Sequence, residues 1–258
     1  MIVAYKNSTI YYTDNGEGPA VVLLHGFLET SAMWVDFIPE LSKNNRVICI
    51  DLLGHGQTDC IGYVHTMEAM ADALRAVLYE LNIVKAKIIG HSMGGYVALA
   101  LAEQEPALVE SLCLMNSTFE ADDDDRKALR ARANEMVKSN FENMVRMSFA
   151  NLFAAESKMK FKSAYESALE IALETPVQGY IAANEGMRLR PNRLEVFKKV
   201  KGKQLLILGQ KDILISVKNL KSQTKDTKII LEELSEGHMS HIENKSDLSY
   251  LLLRFIEK

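Results

Sequence analysis

The chain has 258 residues, 48% of them hydrophobic and 25% charged, a size and composition usual for a single α/β domain with a core that needs no disulfide or metal. Its 30 lysines and arginines against 34 acidic residues leave a formal charge of −4, which speaks against a nucleic-acid partner, since that would call for a basic patch. No apolar run approaches the roughly 20 residues of a spanning helix, and the start MIVAYKNSTIYY has no apolar stretch behind basic residues, so neither a membrane segment nor a signal peptide is expected.

In chain order, residues 2–5 and 9–13 read as strands joined by a turn at Lys6-Asn7-Ser8. Residues 20–24 (AVVLL) form a continuous apolar run, as in a strand buried on both faces of a sheet. The pattern recurs at 46–50 (RVICI), 86–89 (AKII), 111–115 (SLCLM), 204–208 (QLLIL) and 228–231 (KIIL). Helical stretches fall at 34–41, 67–81 and 94–104, and Leu248, Leu251, Leu252, Phe255 and Ile256 space a C-terminal helix. Short apolar strands alternating with helices predict a mainly parallel sheet with helices on both faces. Cys49, Cys60 and Cys113 are odd in number and lack C-x-x-C spacing, so reduced, mostly buried thiols of a cytoplasmic protein are expected.

Residues 118–193 differ, because they carry no strand signal. Helical spacing runs through Leu129, Ala133, Met136 and Val137, then through Phe141, Met144, Val145, Phe149 and Leu152, with a break expected at the capping-box pair Ser139 and Glu142. A third helix is expected over 159–173, and a fourth with Thr175 as cap and Pro176 in its first turn. The expected organisation is an α/β core from 1–117 and 194–258, with 118–193 inserted as a helical lid of the same domain. The acidic run at 122–125 reads as a solvated helix start. Of Met136, Phe141, Met144, Met147, Phe149, Phe153, Met159 and Phe161, most are expected to pack lid helices, and a few to line an apolar pocket.

The chemistry centres on Gly90-His91-Ser92-Met93-Gly94, a G-x-S-x-G placed between a strand and a helix. A serine on that sharp turn stands at the carboxyl edge of the sheet, above free helix N–H groups that favour developing negative charge. It needs a base, and the base needs an orienting carboxylate. His238 lies in the loop after the strand at 228–231, and Asp212 directly follows the strand at 204–208. Both are placed where catalytic residues of open α/β sheets gather. His241 is a rival base and is expected instead to hydrogen-bond in its loop; His25, His55 and His91 are expected to be structural. Asp51 is expected to fix the Gly54-His55-Gly56 turn. Asn116 ends the strand before the insertion, at the same carboxyl edge, and cannot supply a carboxylate, which favours Asp212.

With His25-Gly26-Phe27, the DLLGHG run from Asp51, the GHSMGG turn, GQKD ending at Asp212 and EGHMSHIEN from Glu236, the chain resembles an α/β-hydrolase-fold serine hydrolase along nearly its whole length. That resemblance implies Ser92 as nucleophile, His238 as base, Asp212 as acid, and the backbone N–H groups of Phe27 and Met93 as oxyanion hole, with no cofactor or metal. None of these motifs names a substrate; the expected one is a small, largely apolar carboxylic ester, while thioesters, lactones and C–C bonds use the same machinery. A dehalogenase or epoxide hydrolase would carry aspartate at Ser92. A menaquinone-synthesis-type lyase is similar in size and layout, but arginine is expected after the elbow glycines, where this chain has Tyr96. Arg126, Arg130, Arg188 and Arg190 are the insertion arginines that would compensate, though solvated helix positions are the simpler expectation. A non-enzymatic ligand receptor on the same fold is the third alternative.

Overall fold

The apolar runs pair side by side. In the computed structural model, which describes residues 1–257, the strands are β1 (Ile2–Tyr5), β2 (Ser8–Asn15), β3 (Ala20–Leu24), β4 (Arg46–Ile50), β5 (Ala86–His91), β6 (Val109–Met115), β7 (Gln204–Gly209) and β8 (Ile230–Leu234). They form one sheet in the order β1-β2-β4-β3-β5-β6-β7-β8. β1 and β2 are antiparallel additions, joined through Lys6 and Asn7 at φ of 47° and 61°, and every pairing from β4 to β8 is parallel. Positive φ at both central residues gives the tight turn whose twist matches the flanking strands.

Successive residues of the buried strands feed opposite cores. Val22, Leu24, Ile48, Ile50 and Ile88 pack with α2 (Met67–Glu80) and α3 (Met93–Gln104). Val21, Leu23, Val47, Cys49 and Ile89 pack on the other face with Trp34, Phe37 and α11 (Lys245–Ile256). Each fully buried aliphatic side chain contributes about 1.5–3 kcal/mol, and the alternation fixes strand register because a one-residue slip would exchange the two cores. Cys49 and Cys113 are buried and Cys60 half-buried, all as free thiols. Among the described residues no helix is long and apolar enough to cross a membrane.

Several elements depart from the expected boundaries. The helix expected at 34–41 is a 3-10 turn, Ser31–Trp34, capped by Thr30, followed by α1 (Ile38–Leu41) with proline in its first turn. Pro39 has no N–H to continue the earlier turn but suits a new helical start. β8 lies two residues later than expected at its start. As an edge strand it pairs only with β7, exposes Ile230 and Glu232, and so lacks a fully apolar signature.

The 118–193 segment holds α4 (Asp124–Ala150), α5 (Ser157–Lys160), α6 (Lys162–Leu173) and α7 (Val177–Leu189), between β6 and β7. α8 (Leu194–Lys199) and α9 (Val217–Thr224) follow, and α10 (Ser240–Glu243) precedes α11. α4 breaks at Asn140 (φ −145°, ψ 47°), one residue past the expected cap, and the Ser139 hydroxyl turns back toward the Met136 carbonyl. The helix expected at 159–173 is split into α5 and α6 at Phe161. Pro176, not Thr175, is the boundary residue of α7, with extended backbone and no side-chain cap. Val137, Val145, Phe149, Leu169 and Ala172 form a third core that closes on Leu28 and Met239 of the sheet's loops.

The acidic run is not uniformly solvated. Asp123 caps α4 by accepting from the Arg126 N–H at 2.8 Å, but the Asp122 side chain is fully buried between Arg130 Nε at 2.5 Å and Arg190 at 2.8 Å. Burial alone would raise the Asp122 carboxyl, but Arg130 and Arg190 hold it below its ordinary 3.8. Arg190 also stacks over the Tyr96 ring at 4.1 Å, so neither arginine is a solvated helix position. Asp122→Ala strands a buried guanidinium and is expected to cost about 3–5 kcal/mol in denaturant unfolding, whereas Asp124→Ala on the exposed first turn should change little. Since the folded carboxyl is the stronger acid, this contribution is present above 3.8 and lost as pH falls through the lower folded value.

Candidate active site

The turn between β5 and α3 forces Ser92 into φ 48°, ψ −114°, a conformation costing about 1–3 kcal/mol that only a well-determined surrounding holds. Its N–H donates to Met115 O at 2.9 Å, and Ser117 Oγ donates to its carbonyl at 2.7 Å. The strand and helix meet so closely that a Cβ on Gly90 would sit 2.5 Å from the backbone of Gly94. The result is a serine hydroxyl held above the N-terminus of α3, in the extended wall of a cavity of about 310 Å³.

His238 and Asp212 converge on it. His238 Nε2 is 2.9 Å from Ser92 Oγ, and its Nδ1 is 2.6 Å from Asp212 Oδ2. The His238 and Asp212 side chains are 4% and 1% exposed, so the chain of hydrogen bonds runs out of water. The Asp212 position comes from the turn after β7, where the Leu214 N–H donates to Oδ1 at 2.8 Å. Burial would raise the Asp212 carboxyl, but the His238 charge and hydrogen bond, the Leu214 N–H and the Asn116 amide hold it below the usual range. The His238 loop is tied to the helical segment by its own N–H, donated to Leu152 O at 2.9 Å. Glu243 braces that loop further, accepting from Met239 N at 3.0 Å and Ala154 N at 2.8 Å.

Asn116 takes a part that its sequence position does not announce. Its Nδ2 donates to Asp212 Oδ2 at 3.3 Å and to Gly237 O at 3.1 Å, so it bridges the carboxylate and the histidine loop. Phe27 lies in the turn after β3, and Met93 is the first residue of α3, whose N–H has no intrahelical acceptor. His25 and His55 hydrogen-bond to backbone of the loop after β4. His25 Nε2 accepts from Leu52 N at 2.9 Å, and His55 Nδ1 donates to Leu53 O at 3.1 Å. Burial pushes His55 down to about 3 and His241 to about 4, so both are neutral at pH 7. His241 stands 3.9 Å from Glu29 rather than reaching the serine. Asp51 accepts from Ser31 N at 2.7 Å and Gln57 N at 2.9 Å, which ties down the turn before it as well as the one after it.

The cavity wall differs from the apolar set expected in the insertion. Of those eight side chains only Phe149 lines it, while Met136, Met147 and Met159 are exposed. The apolar lining comes instead from Phe27, Leu152, Tyr180, Met187, Ile215 and Met239, with Phe27 and Tyr180 in edge contact at 4.8 Å. Arg126 and Arg130 also reach the wall. Arg130 pairs with Asp122, but Arg126 donates only to the Leu214 carbonyl and pairs with no carboxylate among the described residues. Glu29, His91 and His241 bring ligand-type atoms within 4.8 Å of one another. Their geometry is that of hydrogen bonding and not of metal ligation. Glu29 Oε2 and His91 Nδ1 are 2.7 Å apart, closer than the roughly 3.3 Å that separates two ligands on 2.0–2.1 Å bonds to one tetrahedral zinc ion.

A family model described as the α/β hydrolase fold matches residues 19–245, and the chain belongs to that family. It is similar to 3-oxoadipate enol-lactonase 1 of Acinetobacter baylyi, at 25% identity over 100% of this chain and 96% of that protein. A thermophilic esterase from Thermogutta terrifontis has the same architecture, with a TM-score of 0.90 at 26% identity over 99% of this chain and 96% of that one. An uncharacterized protein of Mycobacterium tuberculosis is 40% identical over 102 residues, covering 40% of this chain, and the match spans only 30% of that relative's length.

Proposed function

We propose that this chain is a cofactor-free serine hydrolase acting on a small, largely apolar carboxylic ester or lactone. The observation that carries the reading is the continuous hydrogen-bonded series Ser92 Oγ, His238 and Asp212, at 2.9 and 2.6 Å, opening into an apolar cavity. Ser92 Oγ attacks the acyl carbon as its proton passes to His238 Nε2, and Asp212 stabilises the imidazolium. The carbonyl electrons move onto oxygen, which sits on the N–H groups of Phe27 and Met93. The intermediate collapses, the leaving alkoxide takes the proton from His238, and the acyl group stays on Ser92. Water, deprotonated by His238, then attacks the acyl-enzyme, and the acid is released as the proton returns to Ser92. In a lactone the leaving alkoxide and the acid belong to one product. The enol-lactonase and esterase named for the relatives agree with this range of acyl substrates.

A chain-length series of p-nitrophenyl esters beside thioesters and lactones tests the reading. Short acyl groups that fit about 310 Å³ should turn over above the Ser92→Ala background. Failure of every substrate in the panel to do so contradicts it.

A second reading, that the substrate also carries a carboxylate, is favoured by Arg126, a guanidinium at the cavity wall without a carboxylate partner among the described residues. A charged hydrogen bond is worth about 1.5–3 kcal/mol, so Arg126→Gln should shift the ratio of KM for a carboxylate-bearing ester to KM for its neutral analogue by roughly 10- to 100-fold. An unchanged ratio returns the substrate to the uncharged class.

A further inference from the structure

Glu29 was not singled out by any sequence pattern, yet it lies buried beside the nucleophile with His91. Three hydrogen bonds converge on this pair. The Gly26 N–H donates to Glu29 Oε2 at 2.6 Å; His91 Nδ1 meets the same oxygen at 2.7 Å; His91 Nε2 meets the His238 carbonyl at 3.0 Å. With Glu29 ionised, its Oε2 and the His238 carbonyl are both acceptors, so each ring nitrogen of His91 carries a hydrogen and the ring is an imidazolium. The Gly26 N–H and His91 Nδ1 converge on one Glu29 oxygen, and hydrogen bonds donated to a carboxylate favour its ionised form over the carboxylic acid. Gly26 has no side chain to interfere: a Cβ there would lie 2.5 Å from Glu29 Oε2 and 2.8 Å from His91 Nδ1.

We infer that Glu29 and His91 form a buried carboxylate–imidazolium pair that positions the catalytic groups, joining the Gly26-Phe27 turn to the backbone of His238 across the nucleophile. The role rests on the hydrolase reading above, since the turn carries one oxyanion donor and the loop carries the base. Neither residue touches the reacting atoms; both act through backbone they hold. The groups facing His91 are Glu29, His25, His238, His241 and Asp212. Burial opposes charge on His91, but Glu29 outweighs it and raises the imidazolium above its ordinary 6.5. Burial likewise opposes charge on Glu29, yet His91 brings it down to about 2. His241, driven to about 4, adds no competing positive charge at neutral pH. The folded pair is therefore ionised from above about 2 until pH rises through the raised value of His91, and its contribution to stability is full between the ordinary 4.5 of the carboxyl and the ordinary 6.5 of the imidazole.

Glutamine at position 29 cannot satisfy the same three bonds. As a carbonyl acceptor it keeps Gly26 and His91 Nδ1–H but leaves neutral Nε2 facing the His238 carbonyl; as an amide donor it opposes the Gly26 N–H. Glu29→Gln is expected to lower kcat roughly 10- to 100-fold with KM within about threefold, and to move the alkaline limb of the rate profile to lower pH. Histidine-resolved ¹⁵N NMR on the unaltered protein reads the pair directly and needs no variant to fold. Both His91 nitrogens should be protonated at neutral pH, and His91 should titrate at lower pH in Glu29→Gln. A singly protonated His91 at neutral pH overturns the inference, as does Glu29→Gln with kcat within about threefold of the parent and an unmoved alkaline limb. Fluorophosphonate labelling of the same samples separates this result from failure of the hydrolase reading: unaltered protein that does not label at Ser92 rejects the hydrolase reading, whereas labelled protein with neutral His91 rejects only the pair.

Discussion

Ser92→Ala should lower kcat on the best ester by about 10⁴ to 10⁶, and His238→Ala should do the same. The two act as a unit. Without the hydroxyl there is no acyl-enzyme, and without the imidazole 2.9 Å away the hydroxyl has no proton acceptor. Residual activity comes from the backbone donors and the cavity alone, so the double variant should be no slower than either single one. His241→Ala should cost far less, because His241 is neutral at pH 7 and stands 3.9 Å from Glu29, off the line of proton transfer. Steady-state kinetics of the four variants decide this, and a more severe loss from His241→Ala than from His238→Ala would exchange their roles.

Asp212→Asn should lower kcat by up to about 10⁴ while the protein stays folded. The amide is nearly isosteric and its oxygen can still accept from the Leu214 N–H, which keeps the turn after β7. Its NH₂ would then point at His238 Nδ1 and at the Asn116 amide, both placed around an acceptor. The imidazole is driven to the tautomer with a proton on Nε2, where it cannot take one from Ser92, and imidazolium stabilisation is lost as well. Thermal unfolding recorded beside kcat distinguishes this from simple destabilisation. A folded variant within about threefold of the parent rate would mean that another carboxylate orients the histidine.

What was legible in the sequence follows from the range over which each signal acts. Strands buried on both faces announce themselves in five consecutive apolar residues, as AVVLL does for β3. The elbow is equally local, because glycine, serine and the strand-to-helix switch fall within one turn of chain. Asp212 and His238 could be placed since each follows a readable strand end, although β8 is only half apolar and starts two residues past its apolar run's beginning. The unread features depend on side-chain partners that no local pattern announces. Asp122 looked solvated beside its acidic neighbours, yet its partners are Arg130 and Arg190 on α4 and after α7. Glu29 pairs with His91, which is 62 positions on, and nothing local distinguishes it from a surface carboxylate. The cavity lining failed for a similar reason: methionine and phenylalanine mark an amphipathic helix, but which turn faces the sheet depends on the break at Asn140.

The most direct test of the central claim is peptide mapping after reaction with a fluorophosphonate. A serine hydrolase built on Ser92, His238 and Asp212 should carry the adduct on Ser92 alone, and labelling should vanish in Ser92→Ala and fall sharply in His238→Ala. Adduct on a different residue, or ester turnover by protein whose Ser92 stays unlabelled, would contradict the account.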